Sequence, residues 1–490
     1  MSLQLLLDII STGNTDRWGE RSKNAFQALF GSPAGRYAKP AQDKVTLRAP
    51  EMTADGGVPF AAYIHPSNPP SGPYSGLSFV IFPVPEHACL IGMVVGTQGL
   101  APDEAILGRP GHARKMRAIC GWLNSEFGVG SQVAWAKQDP TRVDLGIPRE
   151  LQQAWPEYRA VFERYGPVLY ALFRPNGSQA ATEAALTALL DVMFEERGHP
   201  PLTNFKADAD RIRSRWFEHL MATVTREKVT SLLKRRRYVI IQGPPGTGKT
   251  RMAREILETD YSGFGRSIQF HPNITYESFL GGLNPVSSAG DLGFRFAPKP
   301  GFLMAAATEA LTHPEQNLLL HIDEINRADL GKILGEAIYL FEPGAESRRR
   351  IELSYDFGEP FHSTFFLPEN LHVLGTMNSA DRSIAILDIA VRRRFAFVSL
   401  WPSMQVVEKL GSATMQKAYR ELVSIFVEHA PDEAFPLVPG HSYFLESDEN
   451  LAAESLKVNL APLLDEYLAQ GYVSGFGESI RNYKQWLDSL

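Results

Sequence analysis

The chain has 490 residues, 44% of them hydrophobic and 21% charged, with 49 basic against 55 acidic side chains and a formal net charge of −6. That length is too great for one core and predicts about two or three domains, and the composition excludes a disordered or fibrous chain. The mild acidity confines any nucleic-acid contact to a local patch.

The two cysteines, Cys89 and Cys120, lie in apolar settings. They argue for a reducing compartment and against a disulfide framework or a Cys-based zinc site. The first twenty residues, MSLQLLLDIISTGNTDRWGE, lack a basic n-region, and Asp8 interrupts their apolar run. This reads as an amphipathic helix rather than a signal peptide. No stretch approaches the roughly 18 apolar residues that span a bilayer, so a cytoplasmic protein with no membrane partner is expected.

Residues 1 to about 30 carry apolar side chains at helical spacing, first Leu5, Leu6, Ile9 and Ile10, then Phe26, Leu29 and Phe30. From Gly31 to Gly76 the composition turns to Pro, Gly, Ser and Ala, and His65–Gly76 has too many prolines to be anything but loop. Leu77–Pro83 and Ala88–Gly96 then read as two strands of a hairpin, followed by a helix from about His112 to Phe127. Residues 1–150 are therefore expected to form an α+β module of their own. Within it Arg109, His112, Arg114, Lys115 and Arg117 cluster near Trp122 and Trp135. Two readings stand: a solvated helix face, or cations on phosphates with an aromatic available for stacking. Residues 151–235 are helical in pattern, with Leu186, Leu189, Leu190 and Met193 on one stripe, and are expected to be a connector. Lys234–Arg237 ends it as a solvated basic helix terminus or as a polyanion or subunit contact.

Tyr238–Gln242 is a short apolar run suited to a buried strand, and Gly243-Pro244-Pro245-Gly246-Thr247-Gly248-Lys249-Thr250 follows with full phosphate-loop spacing. The glycines let backbone N–H groups converge on phosphate oxygens. Lys249 would place a positive charge on the β- and γ-phosphates, and the Thr250 hydroxyl would ligate Mg²⁺. Leu318–Glu324 is a second apolar strand ending in two carboxylates. There Asp323 would reach Mg²⁺ and Glu324 would polarise the attacking water. A third strand, Leu371–Thr376, leads to Asn378, placed to hold that water or the γ-phosphate. A helix over Ile384–Val391 precedes Arg392, Arg393 and Arg394, any of which could project towards a neighbouring subunit's γ-phosphate. Phe395–Val398 completes the sheet. The expected fold is a P-loop α/β domain over 236–400 with a helical lid over 401–490, where Pro439–Phe444 could reach back over the nucleotide.

Four strings in this half resemble the AAA+ domain of the McrB family, the motor subunits of modification-dependent McrBC restriction systems. They are Gln269–Pro285, Ile322–Glu342, Leu367–Phe397, and PGHSYF (Pro439–Phe444) followed by Ala461–Tyr467. Generic AAA+ proteins share the phosphate loop but not NRAD, GTMNSADRS and GHSYF together, and the likeness runs from about Tyr238 to Gly471. The resemblance implies that Lys249 and Thr250 bind phosphates and Mg²⁺, Asp323 and Glu324 form the Walker B pair, and Asn378 is sensor 1. It further implies that Asp381 helps set up hydrolysis and that Arg393 or Arg394 acts in trans. A hexameric ring, GTP or ATP as substrate, and a separate McrC-type nuclease subunit are implied as well. Ser379 stands where the family usually has Thr. The hairpin region Gly76–Leu100 bears a weak likeness to the family's DNA-reading domain, so residues 1–150 are a candidate target-recognition module.

The leading expectation is an NTP-driven ring motor in anti-phage restriction. It leaves cleavage to a partner, because no nuclease constellation stands out in this chain. The alternatives are a MoxR-like AAA+ chaperone that remodels a protein, and a nucleotide-gated DNA recognition switch with little turnover.

Overall fold

The computed structural model describes residues 2–13, 17–31, 33–48, 58–287, 294–342, 349–380 and 389–490. Its contacts divide the chain into two units, residues 1–221 with 427–431, and residues 222–426 with 432–490.

The first unit is built on strands β1 (Thr46–Arg48), β2 (Ala61–Ile64), β3 (Leu77–Val84), β4 (His87–Val95), β5 (Ala134–Ala136) and β6 (Leu169–Phe173). They form one antiparallel sheet in the order β1-β2-β3-β4-β6-β5. The expected hairpin is β3–β4, closed by a two-residue turn in which Glu86 takes a left-handed φ of 61°. Side chains alternate across the sheet, so Phe79, Ile81 and Ile91 face one layer while Val80, Phe82 and Leu90 face the other. The first layer comes from the helices Ser2–Ser11, Trp18–Gln27, Pro110–Phe127 and Gln179–Glu195. The second is Leu151, Trp155, Tyr158 and Phe162. With both faces covered, β3 and β4 bury nearly every residue, which is why they read as continuous apolar runs rather than alternating ones.

Two expectations change here. The stretch expected as a connector does not stay helical. β6 lies inside it and occupies the sheet between β4 and β5, and residues 151–221 belong to the first unit. The basic cluster is likewise mostly turned inward: Arg109 is exposed and Arg117 half-buried, but the other three are not a solvated face. His112, Arg114 and Lys115 are 0%, 5% and 7% exposed. His112 Nδ1 lies 2.7 Å from Glu196 Oε2, its Nε2 lies 3.0 Å from Tyr170 Oη, and Lys115 Nζ donates to Glu196 Oε1 at 2.9 Å. Arg114 donates to the carbonyls of Val427 and Ala430 in the same unit. These three side chains are taken up by internal partners, as buried polar and charged groups must be.

The second unit contains β7 (Tyr238–Gly243), β8 (Gly265–Gln269), β9 (Gly281–Ser287), β10 (Phe294–Pro300) and β11 (Leu318–Asp323). After them come β12 (Ile351–Glu352), β13 (Thr364–Phe365), β14 (Leu371–Asn378) and β15 (Ala396–Ser399). Five of these form a parallel sheet ordered β15-β7-β14-β11-β8, while β9–β10 and β12–β13 are separate antiparallel pairs. The chain leaves β7 for the far edge at β8, returns through β11 and β14, and crosses to β15. The order therefore reverses beside β7, the place where open α/β sheets bind ligands at their strand carboxyl ends. Helices Met404–Leu410, Ala413–His429, Ala461–Ala469 and Gly477–Ser489 supply the helical region after the sheet. Among the described residues, no helix is long and apolar enough to cross a membrane.

Candidate nucleotide-binding site

β7 is buried along nearly its whole length and delivers the chain to the glycine-rich loop at Gly243. Gly246 and Gly248 adopt φ of 76° and 82°, a region that L side chains enter only with strain. The turn therefore needs glycine at both positions. Lys249 opens the following helix and folds its side chain back over the loop, with Nζ donating to the carbonyls of Gly243 at 2.9 Å and Pro244 at 2.7 Å. Burial pushes its ammonium down to about 8, against the pull of Glu324 and Asp323. A desolvated cation held by two neutral carbonyls is poised to meet a polyanion. Thr247 Oγ1 donates to the Pro244 carbonyl at 3.0 Å and closes the loop on itself.

Asp323, the last residue of β11, gathers the oxygen donors. Its Oδ1 accepts from Thr250 Oγ1 at 3.0 Å and, in a shorter contact, from Thr376 Oγ1. β14 lies between β7 and β11, so Thr376, in register with Ile241 of β7, ties the strand that leads into the phosphate loop to the acidic strand end. Thr250 and Asp323 are hard oxygen donors converging at one point, a set that fits Mg²⁺. Glu324 leaves the strand with φ of 52°, and Arg327 Nε stands 3.5 Å from its Oε2. A non-glycine residue in this region is uncommon and clusters at functional sites.

Asn378 is in register with Gly243, so the end of β14 lies alongside the start of the phosphate loop. Its Oδ1 accepts from Ala380 N at 3.1 Å, its carbonyl accepts from Asn326 Nδ2 at 3.2 Å, and Ser379 N donates to the Gly243 carbonyl at 3.0 Å. Asp381 lies outside the described residues, as does most of the helix expected over Ile384–Val391. The described part, Ile389–Arg394, carries all three arginines. Arg394 is buried and gives Nη1 to the Ala390 carbonyl of its own helix at 3.0 Å. Arg392 lies over the Phe397 ring. Arg393 is exposed and has no hydrogen-bond or ion-pair partner among the described residues.

The turn at Pro439–Phe444 reaches the loop directly. Gly440 N donates to the Pro245 carbonyl at 2.9 Å and Ser442 N to the Gly246 carbonyl at 3.0 Å. The turn was expected here from the sequence, though without separate roles for Gly440 and His441, and Thr376 was not expected as a residue of the site. Thr376 carried a faint signal, a hydroxyl two positions before Asn378 on the same strand.

A P-loop beside two acidic residues, a five-stranded parallel sheet in this order and a helical region that touches the loop define an AAA+ P-loop NTPase. Residues 238–395 match the family described as AAA domain (dynein-related subfamily). The chain is 34% identical over 354 residues to the type IV methyl-directed restriction enzyme EcoKMcrB subunit of Escherichia coli (strain K12), covering 66% of this chain and 75% of that protein. It is also 29% identical over 189 residues to the type II restriction enzyme BsuMI component YdiS of Bacillus subtilis (strain 168), covering 32% of this chain and 55% of that protein. The chain belongs to the McrB family.

Proposed function

We propose that this chain is the NTP-hydrolysing ring motor of a McrBC-like, modification-dependent restriction system, working with a McrC-type nuclease. The observation that carries the reading is the convergence of Lys249, Thr250, Thr376 and Asp323 beneath a loop that the Gly440 turn grips from the other side. In this reading the backbone from Gly243 to Thr250 and the Lys249 ammonium hold the β- and γ-phosphates of GTP or ATP. Thr250 and Asp323 would hold Mg²⁺, which when bound neutralises charge between those phosphates. Glu324 accepts the proton of the attacking water, and Asn378 orients that water against the γ-phosphate. Asp381 is assigned a supporting part in hydrolysis. Arg393 is the residue offered to the next copy in a hexameric ring, because Arg394 is committed within its own helix. An arginine supplied in this way stabilises transition-state charge.

The first unit is the target-reading module of this proposal, with modified DNA as its ligand. The buried cations around Glu196 take no part in that contact, so phosphate contacts must come from other surfaces of the unit. The test uses the full chain. Phosphate release from GTP and ATP is measured side by side, with and without the McrC-type partner, and binding to methylated, hydroxymethylated and plain duplexes is measured alongside. Turnover of one nucleotide, stimulated by the partner, and preference for a modified duplex are expected. Failure of Lys249→Ala to abolish nucleotide binding would overturn the site. Equal indifference to all three duplexes would overturn the recognition role.

A further inference from the structure

The turn over the phosphate loop carries an imidazole with one ring nitrogen engaged by the protein and the other directed at the loop. Gly440 and Ser442 pin the turn to the Pro245 and Gly246 carbonyls, which holds the residue between them, His441, against the loop. His441 Nδ1 accepts from Ser403 N at 3.3 Å. A ring nitrogen that accepts a backbone N–H carries no proton, so the neutral imidazole must bear its proton on Nε2. Burial, with the positive charge of Arg251 adding to it, lowers the ring's pKa and favours that neutral form. Nε2 has no hydrogen-bond partner among the described residues. A Cβ built on Gly248 would find this atom at 3.9 Å and no other non-neighbouring heavy atom within 4 Å. The donor thus borders open space beside the glycine that precedes Lys249, where the loop's N–H groups would meet phosphate.

We propose that His441 contacts the nucleotide, its Nε2–H donating to the phosphate chain of a bound nucleoside di- or triphosphate. The proposal rests on the nucleotide reading given above. It gives the helical region its own grip on the anion, in the same subunit that supplies Lys249. Ser403 N, through Nδ1, fixes the tautomer and the angle of the ring.

Two substitutions separate this contact from simple packing. In His441→Asn the side-chain oxygen can still accept from Ser403 N, but no donor reaches the Nε2 position. In His441→Gln the amide nitrogen reaches that position and the Ser403 bond is lost. Calorimetric titration with GTP, GDP, ATP and ADP in Mg²⁺ is expected to show binding about 10- to 100-fold weaker in His441→Asn, the range of a hydrogen bond to a charged group. Its unfolding midpoint without nucleotide should be unchanged. His441→Gln should stay within about threefold of the parental affinity, less than the loss of a hydrogen bond to a charged group. Parental affinity in His441→Asn, or an equal loss in both variants, overturns the proposal. Should His441→Asn fail to fold, diethylpyrocarbonate modification of His441 in the parental protein replaces it. Nucleotide is expected to slow that reaction, and an unchanged rate would overturn the proposal. Abolished binding in Lys249→Ala alongside normal binding in both His441 variants would sink the His441 contact alone, whereas undiminished binding in Lys249→Ala would sink the nucleotide site itself.

Discussion

Gly440→Ala is the sharpest test of how the helical region holds the phosphate loop. Gly440 has φ −68° and ψ 164°, angles any residue adopts, so the substitution causes no backbone strain of its own. Its difficulty is distance. A Cβ would lie 2.1 Å from the Gly246 carbonyl carbon, 2.2 Å from that residue's oxygen and 2.4 Å from the Pro245 oxygen. These are backbone atoms, so no rotamer change relieves the overlap. Carbon atoms rest about 3.5–4.0 Å apart, which requires the turn to withdraw by roughly 1.5 Å. That displacement breaks the Gly440 and Ser442 hydrogen bonds to the loop, each contributing about 0.5–1.5 kcal/mol net, on top of an overpacking cost of about 1–3 kcal/mol. Because neighbouring effects do not add fully, a loss of about 2–4 kcal/mol is expected, lowering the unfolding midpoint of the second unit by roughly 5–15 °C. Scanning calorimetry of the full chain reads the midpoint, and titration with nucleotide should show weakened binding. A midpoint and affinity both equal to the parental values would refute the reasoning.

Glu324→Gln should bind nucleotide normally while phosphate release falls by about 10²–10⁴-fold, the range for a lost general base; a parental rate would remove Glu324 from its role. Arg393→Ala should leave the unfolding midpoint unchanged and lower turnover of the assembly by about 10³-fold or more. Mixing it with Lys249→Ala subunits, which still offer Arg393, should restore part of that activity, and no restoration would count against action in trans. Arg394→Ala should instead lower the midpoint, because that guanidinium is buried against its own helix. In the first unit, burial opposes the charge on Glu196, but His112 and Lys115 outweigh it and hold the carboxyl at about 2 rather than the ordinary 4.5. The folded pKa is depressed, so this stabilisation is present in full above about 4.5 and fades as pH falls towards about 2. Urea unfolding from neutral pH downwards should show the loss, and Glu196→Gln should flatten it. The same acid slope in both proteins would disprove the linkage.

The sequence was most legible where chemistry and periodicity coincide. Gly243–Thr250 has a fixed spacing set by phosphate geometry, and the runs into Asp323 and Asn378 are buried strands whose ends must carry the polar work. The β3–β4 hairpin was legible because two apolar runs flank a two-residue turn. What escaped depended on partners distant in the chain. Arg114 and Lys115 look like surface cations until Glu196, some eighty residues on, is seen to neutralise one of them. β6 is only five residues, Leu169–Phe173, and periodicity cannot distinguish so short an apolar run from a buried helical turn. Gly440 was visible as part of a family string, but its reason, a backbone approach to Gly246, exists only in three dimensions.

The position of β6 also bears on how the protein should be dissected and how such proteins diversify. A truncation after residue 150 would strip the strand that pairs with Ile91–Val94 on one side and Ala134–Ala136 on the other, leaving raw hydrogen-bonding edges prone to self-association. Anyone expressing the amino-terminal head by itself should carry the chain through residue 221 at least. By the same logic, if different heads are grafted onto a shared engine, a splice near Ala222 keeps the whole sheet on one side, and residues 427–431, which hold Arg114, must be supplied or replaced.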